Sequence, residues 1–243
     1  VPVKAFLIRI NGKNVLVDMA EIDVLQTGKM LVSSAVHNRD SKSGKFAYTG
    51  LFQSKKGRNE VPVKAFLIRI NGKNVLVDTG WSEQCAINPR HHLGLALYFS
   101  SQPTVTLNDS VARQLDALGI TPKQLDAVIL THLDCDHVSG LKDLKGAKHI
   151  YATKEELEIS LLPNPRYRKA LWQGVEIEPI EMNYDSRAPF GKSCDLFGDG
   201  SVRIVYTPGH SAGSVCVVIK QNGKMAVIAG DNGISEKSWS ELI

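Results

Sequence analysis

The segment Thr131-His132-Leu133-Asp134-Cys135-Asp136-His137 places four metal-ligating side chains, His132, Asp134, Asp136 and His137, within six positions. Imidazole suits Zn, Fe and similar ions, while carboxylates add charge and bridge ions. Two further candidates follow downstream, His210 behind Gly209 and Asp231 behind Gly230. Six donors exceed what one tetrahedral ion takes and point to a binuclear site. Between two ions a shared water loses a proton near neutral pH, and the ions polarise the electrophile's oxygen. The implied reaction is hydrolysis.

Each part is weak alone. A single loop histidine, such as His37, His91, His92 or His149, is more often a surface or hydrogen-bonded residue than a ligand, and those four are given no role. An isolated Gly-Asp usually marks a turn, and His210 alone reads as a cap. The conjunction carries the reading: a dense His/Asp run, then Gly-His, then Gly-Asp. Cys135 lies inside the run, but in extended backbone it faces away from residues 134 and 136, so it reads as a packing residue. Cys216 falls in a strand and reads as core.

These donors need elements that end near one another. Ala65–Ile70 and Asn74–Asp78 flank Asn71-Gly72, a tight hairpin turn. Asn108 or Asp109 is expected to cap a helix carrying Val111, Leu115 and Leu118, with Gly119 at its end. Thr121-Pro122-Lys123-Gln124 has the form of a capping box with proline at the first helical position. The apolar run 127–130 reads as a buried strand that opens into the His/Asp run. Val202–Tyr206 is a strand leading to Thr207-Pro208-Gly209-His210, and a hairpin about Asn222-Gly223 leads to Asp231. Three strands thus deliver ligands just beyond their ends, as a sandwich of sheets covered by helices allows.

With 243 residues, 43% apolar and 22% charged, the chain reads as an ordinary globular protein, not a disordered or collagen-like one. No apolar run approaches the roughly 20 residues of a membrane span, and no signal peptide opens the chain. A cytoplasmic location is the expectation, with no membrane partner. Cys85, Cys135, Cys194 and Cys216 are too scattered for a disulfide framework and read as reduced thiols. The net charge of +4 permits nucleic acid without indicating it. The most basic stretch, Lys42, Lys45, Lys55, Lys56 and Arg58 among Phe46, Tyr48 and Phe52, reads as a solvated loop.

VPVKAFLIRINGKNVLVD occupies 1–18 and returns unchanged at 61–78. Working structural repeats diverge, and a solenoid needs further copies at a similar period; this one is unchanged and no third copy follows. Residues 1–18 therefore read as an artefactual copy, with the natural chain starting at Met19 and a single hydrolase domain over 19–243.

The His-x-Asp-x-Asp-His run, with Asp78-Thr79-Gly80 upstream and Gly209-His210 and Gly230-Asp231 downstream, resembles the metallo-β-lactamase superfamily. VKAFLIRINGKNVLVDTG, QLDALGITPKQLDAVILTHLDCDHVSGL and DLFGDGSVRIVYTPGHSAGS resemble its N-acyl homoserine lactonase branch. The resemblance runs from about Met19 onward and is weakest over 81–105 and 145–190. It implies a mixed α/β fold, the four-layer αββα sandwich, with a small-molecule substrate and two divalent metal ions. It implies His132, Asp134 and His210 on the first metal, Asp136 and His137 on the second, and Asp231 bridging them. Asp136 is also implied as the catalytic residue that orients the nucleophile or relays a proton, and Asp78 as a support of the ligand loops.

Three departures shape the expectation. Asp134 stands where the family has His, making the site more negative, so Mn or Fe joins Zn as a candidate. Ile234 stands where the lactonase pattern has a substrate-holding Tyr. The chain ends at Ile243, before the family's last His ligand, so it reads as truncated and weak at the second metal. Pro89–Pro103, with Leu93, Leu95, Leu97, Tyr98 and Phe99, reads either as a wall for an acyl chain or as loop packing or a homodimer contact. Trp172 and the nearby Arg166, Tyr167 and Arg168 are equally open. The leading expectation is a lactone hydrolase. Thioester, β-lactam or phosphodiester hydrolysis, or metal binding without turnover, are the alternatives.

Overall fold

The computed structural model describes residues 20–33 and 57–233. The repeat 1–18, Met19, His37, the basic residues 42–56 with their aromatic neighbours, and Ile234 lie outside the described residues.

Strands β1 (Glu21–Ser33) and β2 (Arg58–Ile70) pair antiparallel, with a bulge between Gln26 and Lys29. β2 turns into β3 (Lys73–Val77) through Asn71-Gly72, both at positive φ (49° and 73°), as a tight hairpin turn requires. β4 (Gln102–Thr104) extends the β1 edge. Beyond β3, β5 (Ala127–Ile129), β6 (Ile150–Thr153) and β7 (Glu178–Ile180) add in parallel, giving the order β4-β1-β2-β3-β5-β6-β7. A second, antiparallel sheet has the order β12 (Lys224–Ile228), β11 (Val215–Gln221), β10 (Val202–Tyr206), β9 (Lys192–Asp195), β8 (Asn183–Tyr184).

Period-two alternation splits the core into two layers. Ala65, Leu67, Leu76 and Val128 face the helices, together with Leu93, Val111, Leu115, Cys135 and Val138. Ile68, Val75, Val77 and Ile129 face the other sheet and meet Val202, Ile204, Val215, Val217 and Ile219. β5 is buried on both faces, which is why residues 127–129 are continuously apolar rather than alternating.

Helices α1 (Glu83–Ile87), α2 (Pro89–Ser100), α3 (Val111–Ala117), α4 (Cys135–Val138) and α5 (Lys154–Leu161) contribute to the helix-side layer alone among the described residues. None is long and apolar enough to cross a membrane. Helix α3 is capped by Ser110, whose hydroxyl accepts from the Arg113 N–H. The expected caps Asn108 and Asp109 instead form a 3-10 turn held by Thr106, because Asp109 turns its carboxylate back to the Thr106 N–H at 2.7 Å. The Thr121/Gln124 box closes a 3-10 turn. The 89–103 stretch, read without a period, contains α2, kinked at Gly94 where φ is 74°.

Two directions of chain travel create the site. β3, β5 and β6 are parallel, so their C-terminal ends share one edge. β10 and β12 are both antiparallel to β11 and therefore also run the same way as each other. The Val215 N–H donates to the Thr131 carbonyl at 3.0 Å, stitching the sheets together where these ends emerge.

Candidate metal centre

Asp78 follows β3 at a φ of 59° and is buried. Its Oδ1 accepts from the Thr131 N–H at 2.8 Å, its Oδ2 accepts from the Thr131 hydroxyl at 2.8 Å, and Oδ2 lies 2.9 Å from His137 Nδ1. The Thr79 N–H and hydroxyl both donate to the His137 carbonyl at 2.8 Å, fixing the end of α4. Gly80 closes this turn because nothing larger fits: an added Cβ would lie 2.0 Å from Thr27 Oγ1. A carboxylate on Nδ1 leaves His137 Nε2 facing outward, the arrangement that orients metal-binding imidazoles.

His132 Nδ1 lies 3.0 Å from Thr131 Oγ1, whose proton already goes to Asp78. His132 Nε2 is buried without a hydrogen-bond partner; Asp134 Oδ2 stands 3.2 Å away, outside hydrogen-bond geometry. An orphaned imidazole nitrogen is costly unless a cation completes it. His132 belongs to two groups of residues whose donor atoms lie within 4.8 Å of one another: His132, Asp134 and His210, and His132, His137 and Asp231. Asp231 Oδ1 is 3.2 Å from His137 Nε2, and its Oδ2 is 3.6 Å from His210 Nε2, so its two oxygens face different groups. Asp136 is buried, with Oδ2 3.4 Å from His137 Nε2, but it joins neither group. Asp136 and Asp231 thus both stand beside His137 Nε2.

The electrostatics are those of an anionic pocket holding positive charge. Burial pushes the His137 imidazole down, yet Asp78, Asp136 and Asp231 outweigh it and hold its pKa well above the ordinary value. His132 is raised too, with Asp134 and Asp231 overcoming burial and the neighbouring His137. Burial raises Asp134 and Asp231, but the surrounding imidazoles, and Arg166 at Asp134, pull both below the usual carboxylate range. A divalent cation fits this donor set, since it supplies the charge that these carboxylates otherwise draw from bound protons.

Cys135 is outside both groups, as expected, but for a different reason. It is the first residue of a helix, not extended backbone, and its thiol packs into the helix-side core. Cys216 is buried in β11, where its sulfur accepts from the Asn232 side chain at 3.4 Å. All four cysteines are free. His92 and His149 are engaged with Ser139 and Glu178, and neither reaches the site donors.

Two residues to which the sequence reading assigns no definite role join the site. Glu156, on α5, is fully buried and accepts four bonds: from Leu133 N (3.0 Å), Tyr167 OH (3.1 Å), Ser211 Oγ (2.6 Å) and Gly213 N (3.0 Å). It thereby binds the His132–Asp134 loop to the His210 loop. Arg166 pairs with Asp134 and donates to the His210 carbonyl at 2.7 Å. The only sequence signal for it is indirect, namely that an extra carboxylate at 134 calls for a counter-charge. Beside Arg166, Pro165 and Tyr167 join Leu93, Leu95 and Leu97 in lining a cleft of about 400 Å³.

The profile of the Metallo-beta-lactamase superfamily matches residues 58–240. The chain belongs to this superfamily. Among its superfamily relatives, the N-acyl homoserine lactonase AttM of Rhizobium radiobacter is 26% identical over 191 residues, covering 75% of this chain and 69% of AttM. The Probable metallo-hydrolase Rv2300c of Mycobacterium tuberculosis is 30% identical over 175 residues, covering 68% of this chain; the chain spans 54% of that relative. The solved structure of an N-acyl homoserine lactone hydrolase, with the product N-hexanoyl-L-homoserine at its catalytic metal center, superposes with a TM-score of 0.72. It shares 21% identity and covers 93% of this chain and 81% of its own, which establishes the superfamily's sandwich fold here.

Proposed function

We propose that this chain is a metal-dependent hydrolase that opens the ester bond of a lactone, with an N-acyl homoserine lactone as the substrate class. The observation that carries this is the pair of donor groups sharing His132, with the two oxygens of Asp231 turned one toward each. His132, Asp134 and His210 would hold one divalent ion, and His137, Asp136 and Asp231 a second. Zn is the leading candidate, and the carboxylates admit Mn or Fe. Such ions, when bound, supply Lewis acidity and lower the pKa of water.

The chain's own residues do the rest. Asp78 fixes the tautomer and direction of His137. Asp136, buried beside His137, takes the proton of the attacking water and returns it to the ring oxygen as the carbonyl carbon–oxygen bond breaks. Glu156 and Arg166 hold the ligand loops in register. The open cleft lined by Leu93, Leu95, Leu97 and Tyr167, with Arg168 and Lys169, offers apolar side chains on which an acyl chain could lie. Lactonase relatives at 26% identity support the substrate class.

The test is acid release from lactones of graded acyl length by Zn- or Mn-loaded protein, with two metals per chain counted by elemental analysis. Activity abolished by a chelator and by His132→Ala is the expected result. Metal-loaded protein that is inert on every lactone, but cleaves a thioester, β-lactam or phosphodiester, overturns the substrate. Inertness on all of them leaves a metal-binding protein without turnover and overturns the proposal.

A further inference from the structure

Asp134 brings a negative charge into a site that already gathers Asp78, Asp136 and Asp231 around three imidazoles. Arg166 reaches this cluster from the segment following α5. Its Nε and Nη2 both donate to Asp134, the Nη2–Oδ2 distance being 2.7 Å, and its Nη1 donates to the His210 carbonyl at 2.7 Å. That two-pronged planar pairing is available to a guanidinium and not to an ammonium group. Nε takes Oδ1, while Oδ2, which accepts from Nη2, also faces the other donors, 2.9 Å from His210 Nε2 and 3.2 Å from His132 Nε2. The side chains are 31% and 18% exposed, so the pair is largely withdrawn from water, where stranding one member is expensive.

We infer that Arg166 is the positioning residue that makes Asp134 a metal donor. It cancels the carboxylate charge, so the pair presents to an ion what a neutral ligand would, and it restricts Asp134 to one oxygen. This rests on the metal-binding reading above. The consequence is that Asp134 and Arg166 work only as a matched set: an imidazole at position 134 is compatible with a bound dication only when the guanidinium leaves as well. A mere tether, acting through the His210 carbonyl, predicts instead that removing Arg166 has the same effect whatever stands at 134.

The experiment uses four full-length proteins: the parent, Asp134→His, Arg166→Gln and the double variant. Each is stripped with a chelator and titrated with Zn²⁺ against a chromophoric competitor. Metal retained after desalting is counted, and the titration is repeated with Mn²⁺. Asp134→His alone is expected to lose about tenfold or more in Zn affinity, because the guanidinium stays beside the ion without its carboxylate. Adding Arg166→Gln to that variant is expected to restore most of the loss. In the Asp134 background, Arg166→Gln shifts preference from Zn toward Mn, because the freed carboxylate offers two hard oxygens.

Equal effects of Arg166→Gln in both backgrounds overturn the inference while leaving metal binding intact. A parent protein that retains no metal overturns the metal-binding reading and the inference with it. If Asp134→His is too unstable to titrate, metal-free melting temperatures carry the same cycle. The double variant must then melt above Asp134→His, and the reverse order overturns the inference.

Discussion

His92 is a histidine whose environment, rather than its spacing, decides its role. Its Nε2 lies 2.9 Å from Ser139 Oγ and 3.2 Å from Ser82 Oγ, two hydroxyls able to donate to an unprotonated ring nitrogen. Ser139 caps α4, the helix that carries Asp136 and His137. Burial first, then the nearby Lys142 and Arg168, push the His92 pKa down to about 4. Because the folded value lies below the ordinary 6.5, the unfolded chain binds a proton between those limits that the native protein refuses. Native stability therefore falls as pH drops from about 6.5 to about 4 and changes no further through this group below that. With the ring partly exposed, solvent screening reduces the effect to roughly 1 kcal/mol. Urea unfolding of chelator-treated protein should show the advantage of wild type over His92→Gln shrinking by that amount between pH 7 and pH 4.5. A pH-independent difference would contradict this account.

At the scale of elements, α5 acts as the rivet of the site although it contributes no candidate ligand. Thr153 caps it and also donates to the Gly213 carbonyl at 2.7 Å, while Glu156 accepts the Gly213 N–H. The approach is so close that a Cβ on Gly213 would sit 2.3 Å from the Glu156 backbone nitrogen. Replacing Glu156 by Ala strands buried donors on two ligand loops, at a cost of about 3 kcal/mol or more. Chemical denaturation should register that loss, and metal retained after desalting should fall with it. A Glu156→Ala protein with parental stability and metal content would show that the loops hold themselves. The contrast with what the sequence disclosed is instructive. Asn71-Gly72, Asn222-Gly223 and β10 were legible because their turn chemistry and apolar periodicity are local, and His132, Asp134, His210 and Asp231 were legible because ligands cluster just past strand ends. β1 was not read, because its pairing with β2 depends on distant partners, from Arg58 for Ser33 to Arg69 for Glu21. The roles of Glu156 and Arg166 had no local signature for the same reason: they reach the ligand loops through contacts 23 to 57 residues distant.

In the whole molecule, the two sheets share one apolar layer, and the site lies where their strand ends meet. Ile68, Val75 and Ile129 lock against Val202, Val217 and Ile219 without help from the ligand loops. At the site edge, by contrast, Asp78, Asp134, Asp136 and Asp231 converge, balanced by Arg166 and by imidazoles held above their ordinary pKa. A dication binding only the folded arrangement stabilises it by mass action, about 4 kcal/mol at a thousandfold excess over Kd. Chelation should accordingly lower the melting temperature by several degrees, and Zn²⁺ or Mn²⁺ should restore it. The loss should also be local. Amide exchange should accelerate over 131–139, 207–214 and 229–232, whereas β2, β3 and β5, buried between the helices and the second sheet, keep their protection. Uniform acceleration across the chain would mean that the cation supports the sandwich itself. An unchanged melting temperature with chelator and with excess metal would mean that these loops are closed by their own hydrogen bonds and that the donors do not bind a cation in the folded state.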